Sequence, residues 1–129
     1  PLAYPVKPQK QPRPNRYGHV FIVRDRDGKV KFGTRPPRGL LGGMHEFPGS
    51  EWVSEPVGDP AFPVPGHWQD KGEVRHVFTH FALTLTVWRL DLATIETGSD
   101  WVGEKRLGQL ALPILFKKVA AVAGLPLEP

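Results

Sequence analysis

Apolar and polar positions alternate with a strand-like period over most of this chain and change to a helical period only near its end. Residues 17–23, YGHVFIV, are aromatic or β-branched almost throughout, and RDRDG at 24–28 supplies an Asp-Gly turn before KVKF. That pattern predicts a β-hairpin. The stretch GEVRHVFTHFALTLTVWRLDL, residues 72–92, is too long for one ordinary strand. Phe81, Leu83, Leu85 and Val87 alternate with Ala82, Thr84, Thr86 and Trp88, as a sheet with one well-buried face requires. Two strands are therefore expected, broken near Phe78 to Phe81. A short strand at 100–102 and a short helix in EKRLGQL, 104–110, follow. In LPILFKKVAAVAG, Pro113 suits a first helical turn and Gly124 the position just past the end. Leu112, Leu115, Phe116, Val119 and Val122 form one apolar face for packing on the sheet.

Between these elements lie two irregular segments. Residues 34–52, TRPPRGLLGGMHEFPGSEW, mix glycine and proline with Leu40, Leu41, Met44, Phe47 and Trp52, which predicts a structured loop. Gly42, Gly43 and Gly49 are expected to serve its turns, and Glu46 and Trp52 its internal bonding and packing. Pro56, Pro60, Pro63 and Pro65 exclude a long helix over 53–72.

Length and composition narrow the function classes. At 129 residues with 40% hydrophobic content, the chain fits one domain able to bury a core. The absence of cysteine excludes disulfides, iron–sulfur ligation, Cys-ligated zinc and thiol catalysis within it. No apolar run approaches the roughly 18 residues of a membrane span. The chain starts at Pro1 without a signal-peptide pattern and is expected to be a piece of a longer protein. Its formal charge of +4 is uneven, because Lys7, Lys10, Arg13, Arg16 and Arg24 are accompanied by no acid before Asp25. Residues 1–16, with Pro1, Pro5, Pro8, Pro12 and Pro14, read as an extended basic linker ahead of a domain at 17–129. Such an arm attracts polyanions by counterion release. A plain tether, or a polyproline ligand at Pro5-Val6-Lys7-Pro8, remains an alternative.

Most catalytic signatures are missing. His76 and His80 are four apart, but four strand residues span about 13 Å, too far for one zinc ion without a sharp bend. There is no nucleophile elbow and no phosphate loop.

The order RPPRGLLGGMHEFPG, then FTHF, then LALPILFKKV resembles the C-terminal domain of the MutY-type adenine DNA glycosylases over nearly the whole chain. That domain is similar in fold to the Nudix hydrolases. The resemblance implies an α/β (α+β) fold: a mixed β-sheet flanked by helices, with a C-terminal helix packed on the sheet. It also makes a stand-alone Nudix hydrolase the nearest rival. Counted from Gly49, Glu55 fits the first glutamate of the Nudix box. The Arg-Glu positions fall on Pro63 and Val64, and the paired glutamates on His67 and Trp68. Hard divalent cations need oxygen ligands, which these side chains do not supply. No metal site and no pyrophosphohydrolase activity are expected.

In the glycosylases the resemblance assigns bond cleavage to a helical N-terminal domain with a four-cysteine 4Fe-4S cluster, so this fragment is expected to be inactive alone and to hold no cofactor. Its implied role is to recognise 8-oxoguanine opposite the adenine. The family's Phe-Ser-His reader corresponds to Phe78, Thr79 and His80, with threonine in place of serine. Phe78 and Phe81 also suit a supporting role, and His76 a position on the sheet surface. Arg13, Arg16, Arg35, Arg38 and Arg75 are candidate DNA-backbone contacts. The implied partners are double-stranded DNA carrying the 8-oxoguanine:adenine pair and the N-terminal catalytic domain, with no membrane. A monomer is expected, in a bacterial cytoplasm at the nucleoid.

Overall fold

The computed structural model describes residues 13–35, 40–103, 106 and 108–126. The strands are β1 (Asn15–Arg24), β2 (Lys29–Lys31), β3 (Gly33–Thr34), β4 (His45–Glu46), β5 (Gln69–Val77), β6 (Ala82–Asp91) and β7 (Trp101–Gly103), followed by helix α1 (Ile114–Ala123). Five of them form one sheet in the order β5-β6-β1-β2-β7, while β3 and β4 pair separately. The central β1 runs parallel to β6 and antiparallel to β2, which makes the sheet mixed, as expected. A parallel pair needs a long crossover. Residues 25–81 provide it.

Burial explains the sequence pattern strand by strand. Val20, Phe21, Ile22 and Val23 of β1 are all buried, because a central strand covered on both faces has no solvent side on which to place polar residues. In β6, Leu83, Leu85 and Val87 are buried, whereas Thr84, Thr86 and Trp88 on the other face are half-buried. Leu115, Phe116, Val119, Ala120 and Ala123 of α1 pack with Val74, Leu83, Leu85 and Phe47. Gly124 ends the helix in the left-handed region at φ 80°, where its N–H and that of Leu125 donate to Ala121 and Ala120. Of the expected EKRLGQL helix, only Arg106, in a helical turn, and residues 108–110 are described.

A helix covers one face of the sheet, and the proline-rich segment covers the other. Phe62 stacks on Trp68 at 5.2 Å and meets Phe21 and Trp88 edge-on at 5.9 and 5.0 Å. The indole of Trp68 donates to the Val64 carbonyl and that of Trp88 to His19 Nδ1, so both half-buried rings have their polar handles satisfied. The bond from Trp88 uses His19 Nδ1 as its acceptor at 3.0 Å.

The β1–β2 turn is locked from within. The Asp25 side chain is buried, with Oδ1 accepting from the Asp27 and Lys29 N–H groups at 3.0 and 2.7 Å. Its Oδ2 accepts from Glu96 N–H at 3.0 Å and lies 3.2 Å from Lys29 Nζ. Burial alone would raise this carboxyl's pKa. The Glu96 and Lys29 N–H groups and the Lys29 ammonium outweigh it and hold the group below the ordinary 3.8.

Candidate nucleic-acid interface

Strands β5 and β6 continue each other through a tight hairpin whose last paired residues are Val77 and Ala82. Beyond them Phe78 N–H donates to the Phe81 carbonyl at 2.8 Å, leaving Thr79 and His80 as a two-residue tip. Both are exposed, and neither has a positive φ. The break expected near Phe78 to Phe81 is therefore this tip. Two-residue hairpins usually need φ > 0 and hence Gly or Asn. A threonine and a histidine here leave the turn with only one bond across the Phe78–Phe81 pair, and the N–H groups of Thr79 and His80 have no acceptor among the described residues.

An aromatic brace holds the tip from beneath. Phe78 stacks on Trp52 at 6.1 Å and tilts against Phe81 at 4.9 Å, while Trp52 also lies 6.1 Å from Phe81. Trp52 rests over Gly18, where a Cβ would come within 2.8 Å of the indole Cδ1, so β1 must present a bare backbone there. Phe78 thus supports the tip and is half-buried, and the two exposed polar residues are Thr79 and His80. His76 lies on β5, on the sheet as expected, and is half-buried. It meets Phe78 edge-on at 4.8 Å, and Lys118 Nζ lies 3.2 Å from its Nδ1 and 3.3 Å from the Arg75 carbonyl. Partial burial, and then the Lys118 charge, hold the His76 pKa below its ordinary 6.5. At neutral pH the ring is uncharged and can accept from the ammonium.

The five candidate arginines separate into different roles. Arg13 Nε donates to the Thr79 carbonyl at 3.1 Å. Arg16 and Arg75 are exposed, at the start of β1 and on β5, and stand opposite Leu83 and Thr84 of β6 in register. Arg35 is engaged within the protein, bonded to Glu46 at 2.9 Å and to the Leu40 carbonyl at 2.9 Å, with its guanidinium 5.0 Å from the Trp52 ring centre. It ties the glycine-rich loop to the brace. Arg38, like Lys7, Lys10 and the Pro5–Pro8 motif, lies outside the described residues.

Within that loop, Gly43 does serve a turn, at φ 74°, whereas Gly49 serves a close approach. A Cβ on Gly49 would sit 2.7 Å from the His19 carbonyl, and this contact lets residues 49–53 bridge to β1. Leu41 is the one described non-glycine residue at positive φ, 57°, a strain that nothing in its sequence context signals.

A cleft of about 720 Å³ opens under the proline-rich segment, on the sheet face carrying Tyr17, His19, Thr84 and Thr86. Its charged lining residues are Glu51, Asp59 and Glu73, with no lysine or arginine. Such a cleft repels a diphosphate. Glu55 is exposed on an irregular stretch, and among the described residues no three acidic, histidine or cysteine side chains gather to hold a metal.

The crossover topology and the helix packed on the sheet define a Nudix-type domain, here without a glutamate cage among the described residues. A family model described as a NUDIX domain matches residues 19–122, and the chain belongs to that family. It is 29% identical to human adenine DNA glycosylase across 94% of this chain and 26% of that protein, and 28% identical to the rat protein across 94% and 28%. The chain therefore spans about a quarter of the curated relatives it matches. In fold it is similar to the C-terminal domain of mouse MUTYH, solved in complex with human PCNA, with a TM-score of 0.67 and 23% identity over 84% of this chain and 87% of that one. It also resembles a MutT protein from Methanosarcina mazei, with a TM-score of 0.60 and 16% identity over 85% and 93%.

Proposed function

We propose that this domain reads 8-oxoguanine for an adenine DNA glycosylase and breaks no bond itself. The observation that carries the reading is the Thr79–His80 tip. It is an exposed polar turn, stiffened by Phe78, Phe81 and Trp52, yet its own hydroxyl, imidazole and two N–H groups are free of partners among the described residues. The adenine to be removed is chemically normal, so its mispairing must be detected on the opposite strand. Guanine presents N7 as an acceptor in the major groove. 8-Oxoguanine instead presents N7–H, a donor, beside a C8 carbonyl. The Thr79 hydroxyl can accept from N7–H, and the tip N–H groups can donate to the C8 oxygen.

The similarity to adenine DNA glycosylases over 94% of the chain supports this assignment. In this reading the partners are duplex DNA with the 8-oxoguanine:adenine pair and the catalytic domain of the same polypeptide, which acts as a monomer at the bacterial nucleoid. Any 4Fe-4S cluster belongs to that catalytic domain, since this chain has no cysteine to ligate one. Arg16 and Arg75 serve as backbone-phosphate contacts, flanking the tip without specifying a base.

The test is Thr79→Ala in the full-length parent enzyme, with excision of adenine opposite 8-oxoguanine compared with adenine opposite guanine. The preference for the lesion should narrow by roughly 1–3 kcal/mol. An unchanged ratio removes Thr79 from the reading role.

A further inference from the structure

The end of the basic arm meets the reader directly. Arg13 Nε donates to the Thr79 carbonyl at 3.1 Å, and the Pro14 carbonyl accepts from Ala82 N–H at 2.9 Å. The two bonds hold the hairpin at its tip and at the first residue of β6. Immediately afterwards, Asn15 enters the sheet opposite Ala82. Both groups that Arg13 and Pro14 engage are main-chain atoms, so the grip acts on the turn's backbone whatever side chains it carries.

We propose that Arg13 is a positioning residue for base reading, which orients the Thr79–His80 peptide and so couples the interdomain connector to recognition of the damaged base. This rests on the reading of Thr79 given above. The Thr79–His80 peptide is trans, since the described residues contain no cis bond, so its C=O and N–H point in opposite directions. A guanidinium on the carbonyl therefore sets the direction of the His80 N–H. The charge-assisted bond also polarises the amide, which makes that N–H a stronger donor toward an electron-rich oxygen such as the C8 carbonyl. The aromatic brace holds the flanking Phe78 and Phe81, but one bond between those two residues is all that otherwise fixes the backbone of the turn, so the orientation of the Thr79–His80 peptide depends on Arg13. An Arg13 that served only as a phosphate contact would instead add affinity without regard to the base.

The experiment uses the full-length enzyme and compares Arg13→Gln and Arg13→Ala, read as the ratio of single-turnover excision opposite 8-oxoguanine to that opposite guanine. Glutamine keeps an N–H donor for the carbonyl but removes the charge. Arg13→Ala is expected to narrow the ratio by about fivefold to tenfold, with Arg13→Gln recovering most of the loss. In the Thr79→Ala background, Arg13→Ala should add little, because both changes disable one unit. If both Arg13 variants weaken binding to the two duplexes equally and leave the ratio intact, Arg13 is a phosphate contact and the positioning role is wrong. If Thr79→Ala also leaves the ratio intact, the reading of Thr79 fails, which separates that failure from the failure of the Arg13 role alone.

Discussion

Two hairpin turns project from this sheet, and they use their polar groups in opposite ways. The β1–β2 turn folds the Asp25 carboxylate inward, where it accepts from the N–H groups of Asp27, Lys29 and Glu96 and pairs with Lys29 Nζ. The β5–β6 turn does the reverse. It leaves the Thr79 and His80 side chains and N–H groups outward, and takes its rigidity from the aromatic rings beneath and from Arg13 beside it. A turn whose hydrogen-bonding capacity is satisfied internally contributes stability. A turn braced through apolar contacts and one main-chain carbonyl keeps its polar groups available for a ligand.

Removing the carboxylate should break the contrast most severely. Asp25→Ala leaves three N–H groups without their acceptor and should cost about 3 kcal/mol of unfolding free energy, measured by urea denaturation. The native pKa of Asp25 is lowered, so its contribution is present above the unfolded value of 3.8 and is lost as the pH falls through the lower native value. The acid limb of the wild-type stability curve should be correspondingly flatter in the variant.

Trp52→Ala tests the brace. The ring is half-buried against Phe78, Phe81 and Arg35, so the cost should be about 2 kcal/mol, accompanied by faster amide exchange at Phe78, whose N–H closes the turn on the Phe81 carbonyl. Unchanged exchange at Phe78 would show that the rings do not hold the turn. Thr79→Ala should change stability by less than about 0.5 kcal/mol while still narrowing lesion preference, and this separation of effects is what sets the two turns apart.

The smallest effect is expected from acid on the Phe78 side. His76 has a lowered native pKa, so the unfolded chain binds its proton more readily. Its contribution is undiminished above about 6.5 and declines as the pH falls below that value toward the native pKa. Thermal unfolding between pH 7 and 5 should show a shallow loss that His76→Gln abolishes.

The strands and the C-terminal helix were legible because burial imposes period two on β6 and a helical stripe on α1. The hairpin tip was also legible, as a break in a run too long for one strand. Its bracing was not, since Trp52, Gly18 and Phe78 come from distant parts of the chain and share no local pattern. The arginines show the same limit. Composition marks Arg35 and Arg13 alike as cations near a motif, but only the fold reveals that Arg35 is spent on Glu46 and Leu40 while Arg13 reaches Thr79. Asp25 gives no warning either, because Asp-Gly announces a turn and not that the aspartate is buried. The expectation that Gly49 serves a turn failed for a related reason: the need for no side chain arises from another strand's carbonyl.

The parallel pairing of β1 with β6 also has a bearing on the order of folding. Every β1 residue from Asn15 to Arg24 waits for a partner between Ala82 and Asp91, more than half the chain away, whereas only residues 78–81 separate β5 from β6. Loop-closure entropy favours the short connection first. During synthesis the β5–β6 hairpin thus assembles as a local unit, with the central strand inserted beside β6 only afterwards. The insertion that completes the core is also the event that delivers Arg13 to the tip, so a domain with a sealed sheet is one whose Thr79 carbonyl has already met its cation.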